Sequence, residues 1–258
     1  MTDPAEPRSV LIVGGTSGVG LATARRFASQ GGAQVTIVGR DAARGKAAMA
    51  TLAAAFPETG PKLVLGDANT AEGAERIIAE TLALRGRVDV LVVATVGAAL
   101  PDLLADIPTG RLARDLTEQA LSPMLMARAV LPVMRSQRSG AIITVASDAG
   151  KVATPGETII GAAMAAIIMF SRTLAMEAKR DGIRVNCVTP SLIRGTGTHD
   201  RLFAHPFAAR LFEKAAQMAA LGVAEAEDLA ALIHFLASPG AARITGQAIS
   251  VNGGISAQ

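Results

Sequence analysis

Ser9-Val10-Leu11-Ile12-Val13-Gly14-Gly15-Thr16-Ser17-Gly18-Val19-Gly20 is the stretch on which the reading of this chain turns. Val10 to Val13 form an apolar run short enough for a buried strand. The run meets Gly14, Gly15, Gly18 and Gly20, and a helical pattern begins near Val19. A strand, a glycine turn and a helix in that order gather backbone N–H groups and the positive end of a helix dipole at one point, which suits a phosphate. Glycine belongs there because a Cβ blocks close approach to a pyrophosphate. The G-x-x-x-G-x-G spacing differs from the G-x-G-x-x-G dinucleotide fingerprint, so the turn by itself decides little.

Outward from that turn, strands and helices alternate. Helices are expected over Leu21–Gln30, Asp41–Ala55, Thr70–Arg85, Thr109–Arg135, Pro155–Arg180, Pro206–Ala220 and Glu225–Ala237. Further strands are expected at Val35–Val38, Lys62–Leu65, Val88–Val93, Ala141–Val145, Arg184–Val188 and Ala248–Val251, with a polar loop over Ser191–Asp200. Strands that are apolar throughout and alternate with helices predict an α/β fold: a doubly wound, parallel, seven-stranded sheet covered by helices on both faces. Ligands of such sheets bind at the carboxyl ends of the strands. Gly14, Arg40, Asp67, Ala94 and Ser147 fall at or just past those ends and are expected to share one crevice.

The 258 residues suit one domain spanning 1–258, with a substrate loop at about 191–220. Half the residues are apolar, yet no uncharged apolar run reaches the ~18 residues of a membrane span. Met1–Arg8 is polar and acidic, which argues against a signal peptide. One cysteine, Cys187, fits a reducing cytoplasm. A net charge of +3 with few aromatics makes nucleic acid an unsuitable partner. Trp and Tyr are both absent.

With these elements placed, the chain resembles a classical short-chain dehydrogenase/reductase, close in pattern to the ketoacyl-carrier-protein reductases. The resemblance runs from Ser9 to Gly254. It is carried by the glycine turn, Asp67, Asp89–Val92 (DVLV), Ser147–Gly150 (SDAG), Gly182–Pro190 (GIRVNCVTP), Ile244–Gln247 (ITGQ) and Val251–Gly254 (VNGG). It implies a nicotinamide cofactor with its pyrophosphate on Gly14, Gly18, Val19 and Gly20. Asp67 would accept from the adenine amino group beside Ala68, and Ala94, Pro190 and Ile193 would complete the cofactor contacts. NAD-selective members carry an acid at the end of the second strand, where this chain has Gly39. Arg40 follows, and a guanidinium there, helped by the Thr16 and Ser17 hydroxyls, suits the 2′-phosphate of NADP(H) rather than NAD(H). Arg40 as a solvated loop residue, and Asp67 as a helix cap, are the plainer alternatives.

The family's proton chemistry uses a tyrosine, a lysine four residues on, a serine and an asparagine. Counted from Ser147, the tyrosine position is Ile160 and the lysine position Met164, which share a helix face. Neither can donate a proton. Gln119 stands at the asparagine position, and Val93–Val96 replaces the family's N-N-A-G. Ser191 stands where glycine usually follows Pro190. Ser147 and Gln119 are the remaining catalytic candidates, Ser147 also being readable as a turn residue. Losing a general acid removes ~10²–10⁴ in rate, so any proton path here is atypical.

Other groups are weighed for that role. Asp148 and Glu157 read as solvated or capping carboxylates, with catalysis as the alternative. His199, with Asp200, reads as a solvated loop residue or as an acid in a closed state. His205 has no better claim, and His234 reads as a half-buried helix residue. Cys187 reads as a buried, inert thiol, and no metal-ligand spacing is present.

Gly161, Ala162, Ala163, Ala165 and Ala166 form a small-residue surface suited to close helix approach. In the resembled family this helix meets a second subunit. A homo-oligomer, dimer or tetramer, is therefore expected, or pairing with an intact paralogue. Three functions follow: an NADP(H)-dependent oxidoreductase acting on a small organic substrate by an atypical proton path, a catalytically silent subunit supporting an active partner, or a non-redox isomerase or lyase. The retained glycine turn, Arg40 and Asp67 favour the first.

Overall fold

In a computed structural model, residues 7–257 are described; most of the Met1–Arg8 expectation falls outside them. The strands are β1 (Arg8–Val13), β2 (Ala33–Gly39), β3 (Lys62–Leu65), β4 (Val90–Val93), β5 (Gly140–Val145), β6 (Ile183–Pro190), β7 (Ile193–Arg194), β8 (Ala224–Glu225) and β9 (Ala248–Val251). The helices are α1 (Gly18–Ser29), α2 (Ala42–Ala55), α3 (Ala71–Arg85), α4 (Leu112–Gln137), α5 (Thr158–Ala178), α6 (Gly197–Ala204), α7 (Pro206–Met218) and α8 (Ala226–Ala237).

Seven strands form one sheet in the order β3-β2-β1-β4-β5-β6-β9, parallel at each pairing. Side chains of a strand alternate between its faces, so β1 feeds two cores. Val10 and Ile12 pack with Phe27 of α1, Leu52 of α2 and Leu229 and Ile233 of α8. Leu11 and Val13 pack with Ile77 of α3, Met126 and Val130 of α4 and Leu174 of α5. All of these side chains except Val13 and Leu174 are less than 2 % exposed, and burying each contributes ~1.5–3 kcal/mol. The strand order reverses between β1 and β4, which opens a crevice at their carboxyl ends. Gly14, Arg40, Asp67, Ala94 and Ser147 all lie within two residues of such an end.

Three local expectations are corrected. The Ser191–Asp200 segment is largely ordered structure: Ile193 pairs with Ala224, and the Thr196 hydroxyl accepts from the His199 N–H at 3.1 Å to start α6. Helix α5 starts at Thr158 rather than Pro155, because Gly156 turns the chain at φ +87°. The small residues of α5 do not form one outward surface. Ala163 is buried, and Gly161 lets the turn at Asp148–Gly150 approach closely: a Cβ there would stand 2.8 Å from the Ala149 carbonyl oxygen. Ala162, Ala165, Met169 and Met176 face outward. Thr158–Asp181 is long and apolar enough to cross a membrane by length and composition, with mean hydropathy 1.8, although Arg172 ends its uncharged run after Ser171. Its inward face packs in the core beside Val185 and Met126, as a core helix of a folded domain does.

Candidate functional site

At the carboxyl end of β1, Gly14 adopts φ +80°, and a Cβ there would stand 2.6 Å from the Ala94 carbonyl oxygen. The Gly14 and Gly15 N–H groups donate to the Val38 carbonyl at 3.0 and 3.1 Å, which pins the turn to β2. A Cβ on Gly20 would overlap the Gly14 carbonyl, so only glycine lets α1 start this close. The first N–H groups of a helix lack intrahelical partners. Ser17, the N-cap, makes no side-chain capping bond, which leaves the first turn open to an anion. Thr196, which motif reading passed over, faces this turn: its Cγ2 lies 3.6 Å from the Cβ position of Gly18. Val19 is buried, so it offers this space only its backbone.

At the end of β2, Gly39 abuts Thr16, and a Cβ on Gly39 would stand 2.6 Å from Thr16 Cγ2. Arg40 is 69 % exposed and its Nη1 lies 3.8 Å from Asp67 Oδ2. Asp67 Oδ1 accepts the Asn69 N–H at 3.0 Å. The cap of α3 is Thr70, whose hydroxyl accepts the Gly73 N–H at 3.0 Å, so the capping alternative for Asp67 is replaced. Ala68 is buried in the core, and Pro190 is buried at the end of β6. Ile193 is half-buried and packs on the α1/α8 core.

The four positions Ser147, Gln119, Ile160 and Met164 converge. Ile160 and Met164 pack in one cluster with Ala120, next to Gln119, and Ala146, next to Ser147. The Ser147 hydroxyl accepts the Ala149 N–H at 3.2 Å, a turn bond that leaves its own O–H to donate elsewhere. Gln119 is buried, and its Oε1 accepts the Gly97 N–H at 3.1 Å. Met164 is 7 % exposed. Ile160 lines a cavity of about 220 Å³ together with Leu100, Ile107, Arg111, Asp115 and His205. A larger cavity of about 330 Å³ lies between α1 and the start of α8 and meets the glycine turn only at Gly18.

The titratable groups depart from expectation in several places. Asp148 is not solvated: it is 4 % exposed and accepts from Ser250 Oγ at 2.8 Å, from Ser256 Oγ at 3.0 Å and from Asn252 Nδ2. Lys151, overlooked in the sequence, is buried beside it. Its Nζ lies 4.0 Å from Asp148 Oδ1 and donates to the Ala248 carbonyl and to Ser250 Oγ. Burial holds its pKa below the ordinary lysine value, against the pull of Asp148. Glu157 is half-buried, and desolvation pushes its carboxyl up to about 7. His205 lines the Ile160 cavity, and its Nδ1 is buried without a hydrogen-bond partner among the described residues.

His199 is not a solvated loop residue: it lies in α6, half-buried, stacks on Phe203 with ring centroids 4.5 Å apart and stands 3.4 Å from Asp200. His234 packs on Phe27, and burial followed by Arg26 and Arg8 lowers its pKa. Cys187 is fully buried, which pushes its thiol up to about 11 and makes it a poor nucleophile. No cluster of metal-ligating side chains occurs among the described residues.

Residues 13–256 match the family described as enoyl-(acyl carrier protein) reductase. The chain is 32 % identical to dehydrogenase/reductase SDR family member 4 of Pongo abelii, over 98 % of this chain and 88 % of that one. It is 33 % identical to 3-oxoacyl-[acyl-carrier-protein] reductase FabG of Chlamydia trachomatis serovar D, over 96 % and 97 %. Among solved structures it superposes on ElxO with NADP bound, with a TM-score of 0.84, 25 % identity, and 96 % and 98 % coverage.

Proposed function

The chain belongs to the short-chain dehydrogenase/reductase family and is an oxidoreductase, and on that premise we propose that it uses NADP(H) on a small organic substrate by a proton path that bypasses Ile160 and Met164. The observation that carries the cofactor choice is the end of β2. There Arg40 is exposed and ready for a 2′-phosphate, while Thr16 fills the space a side chain on residue 39 would need. A bidentate guanidinium–phosphate pair is a strong, charge-assisted contact. The NADP bound to ElxO supports the same choice. The glycine turn fits the group, since Gly14, Gly15 and Gly20 admit no Cβ and the first turn of α1 lacks a side-chain cap.

When bound, the cofactor supplies or accepts a hydride. In this reading the first turn of α1 and Thr196 hold the pyrophosphate, and Arg40, with Thr16 and Ser17, holds the 2′-phosphate. Asp67 and the Ala68 backbone meet the adenine. Ala94, Pro190 and Ile193 bound the nicotinamide end, Ser147 orients the substrate oxygen, and Gln119 holds the Gly97 turn at the cavity wall. The outward faces of α4 and α5, with Leu116, Met169 and Met176 exposed, are the surface on which a homo-oligomer forms. The lone, buried Cys187 suits a cytoplasmic setting.

The test is a fluorescence titration with NADPH and then NADH, which a protein without Trp or Tyr barely obscures. Tighter NADPH binding supports the reading. Equal affinities overturn the role of Arg40, and absence of binding overturns the oxidoreductase mechanism in favour of a silent subunit.

A further inference from the structure

Ile160 and Met164 are held against the turn that follows Ser147. Gly161 lets that turn onto α5, since a Cβ there would stand 2.8 Å from the Ala149 carbonyl oxygen. Gly150 does the same from the other side, where a Cβ would stand 2.6 Å from the Met164 carbonyl carbon. The side chains at the tyrosine and lysine positions therefore have a fixed place beside Ser147, and they cluster with Ala146 and Ala120. None of the four converging residues gives up a proton at neutral pH. Ser147 and Gln119 carry neutral hydrogen-bonding groups, and Ile160 and Met164 have no ionisable hydrogen.

The neighbouring ionisable groups are committed or shut away. Lys151 donates to the Ala248 carbonyl and to Ser250 Oγ and faces Asp148, so the two charges offset one another. The unpartnered Nδ1 of His205 is closed off from solvent, and His199 stands against Asp200. Glu157 differs from all of these. It is half-buried, it makes no side-chain capping bond to α5, and burial alone raises its carboxyl to about 7. Its carbonyl accepts the Gly161 N–H, so the helical register already runs from Glu157 and sets it one turn before Ile160 and Gly161.

The two replacements on this helix face point the same way. A ketone that gains a hydride becomes an alkoxide and needs a proton, whose donor is worth ~10²–10⁴ in rate. An iminium ion needs none, because it already carries the positive charge that the hydride neutralises. A lysine at position 164 would repel such a cation, whereas the Met164 thioether is uncharged and polarisable. A cation taken out of water also requires a counter-charge, which a half-buried carboxylate one turn away supplies.

We propose that the substrate of this site is a small preformed iminium ion, reduced to its amine without proton transfer, with Glu157 as the counter-charge. The proposal rests on the oxidoreductase reading above and narrows its bypass of Ile160 and Met164 to a reaction that uses no proton. The iminium carbon gains the hydride pair from the reduced nicotinamide. The C=N π pair becomes the nitrogen lone pair, and the positive charge passes from the substrate to the nicotinamide ring. Oxidation of the free amine reverses each transfer. Ile160 and Met164 form the apolar floor, and Ser147 orients the substrate through an oxygen it carries.

The probes are an N-methyl dihydroisoquinolinium salt and a tetralone, a neutral ketone of similar size. Each is titrated into the full chain without nucleotide while the Ile160 and Met164 methyl signals are followed by carbon–proton correlation. The salt is expected to saturate those shifts at about tenfold lower concentration than the tetralone, and Glu157→Gln is expected to remove that preference. With NADPH, the salt is expected to react with kcat/KM at least about 10²-fold above the tetralone, and at the same rate in water and in heavy water. Equal shifts or equal rates for the two probes overturn the proposal. So does tetralone reduction that disappears in Glu157→Gln, which would make the carboxyl a proton donor instead. Bound NADPH without reduction of the salt overturns this proposal alone, whereas failure of NADPH to bind overturns the oxidoreductase reading and this proposal with it.

Discussion

Gly39 and Thr16 occupy one another's space: a Cβ on residue 39 would stand 2.6 Å from Thr16 Cγ2 and 3.0 Å from its Oγ1. An acid at the end of β2, which would favour NAD(H), enters only if the Thr16 side chain of the glycine turn gives way. Gly39→Asp is expected to destabilise the fold by about 1–3 kcal/mol through overpacking. Thr16→Gly, combined with it, is expected to recover most of that loss. Thermal melts of the two single variants and the double variant measure the coupling. An additive result would show that the contact is relieved by other means.

Arg40 tests the cofactor choice alone. Because the side chain is largely exposed and 3.8 Å from Asp67, its removal should leave the fold intact. Arg40→Ser is expected to weaken NADPH about 10–100-fold, the loss of a charge-assisted pair worth ~1.5–3 kcal/mol, and to leave NADH within about twofold. Nucleotide titration of the variant reads both values.

Asp148 and Lys151 predict an asymmetry. Asp148→Ala leaves a buried ammonium without its counter-charge and should cost about 3–5 kcal/mol. Lys151→Met leaves the carboxylate its three donors from Ser250, Asn252 and Ser256 and should cost less than half as much. Urea unfolding of the two variants gives the comparison. Equal losses would mean that the lysine, not the three donors, keeps Asp148 buried.

Glu157 couples stability to pH. Its carboxyl is raised by burial from 4.5 to about 7 in the folded protein. The folded state therefore holds a proton that the unfolded state has released. The stabilisation is fully present below pH 4.5 and is lost as pH rises through about 7. Glu157→Gln is expected to remove this slope, and to stabilise the protein at pH 8 by up to about 2–3 kcal/mol relative to wild type. Melting temperatures from pH 5 to pH 8 test it, and parallel curves for the two proteins would disprove it.

The sheet was legible because burial on both faces makes its strands apolar throughout. Val10–Val13, Val88–Val93 and Ala141–Val145 need no partner to be recognised. The glycine turn was legible for a related reason: a backbone that must avoid every Cβ writes glycine into the chain. The two-residue strands β7 and β8 and the helix α6 were not legible. They are short and polar, and they hold together through Ile193 with Ala224 and through the Thr196 cap.

Taken by itself, the sequence determined the class of fold, the place of Arg40 and Asp67 beside the strand ends, and the lack of a proton donor at Ile160 and Met164. Each depends on residue type, local period or distance along the chain. Only the tertiary structure decided that Thr16 closes off residue 39, that Asp148 is buried under the carboxyl-terminal strand, and that His205 stands at the cavity of Ile160. These join residues 23, 102 or 104, and 45 positions apart in the chain: Thr16 with Gly39, Asp148 with Ser250 or Asn252, and Ile160 with His205. Such contacts follow from how separate helices and strands pack, and no local pattern of side chains records that packing.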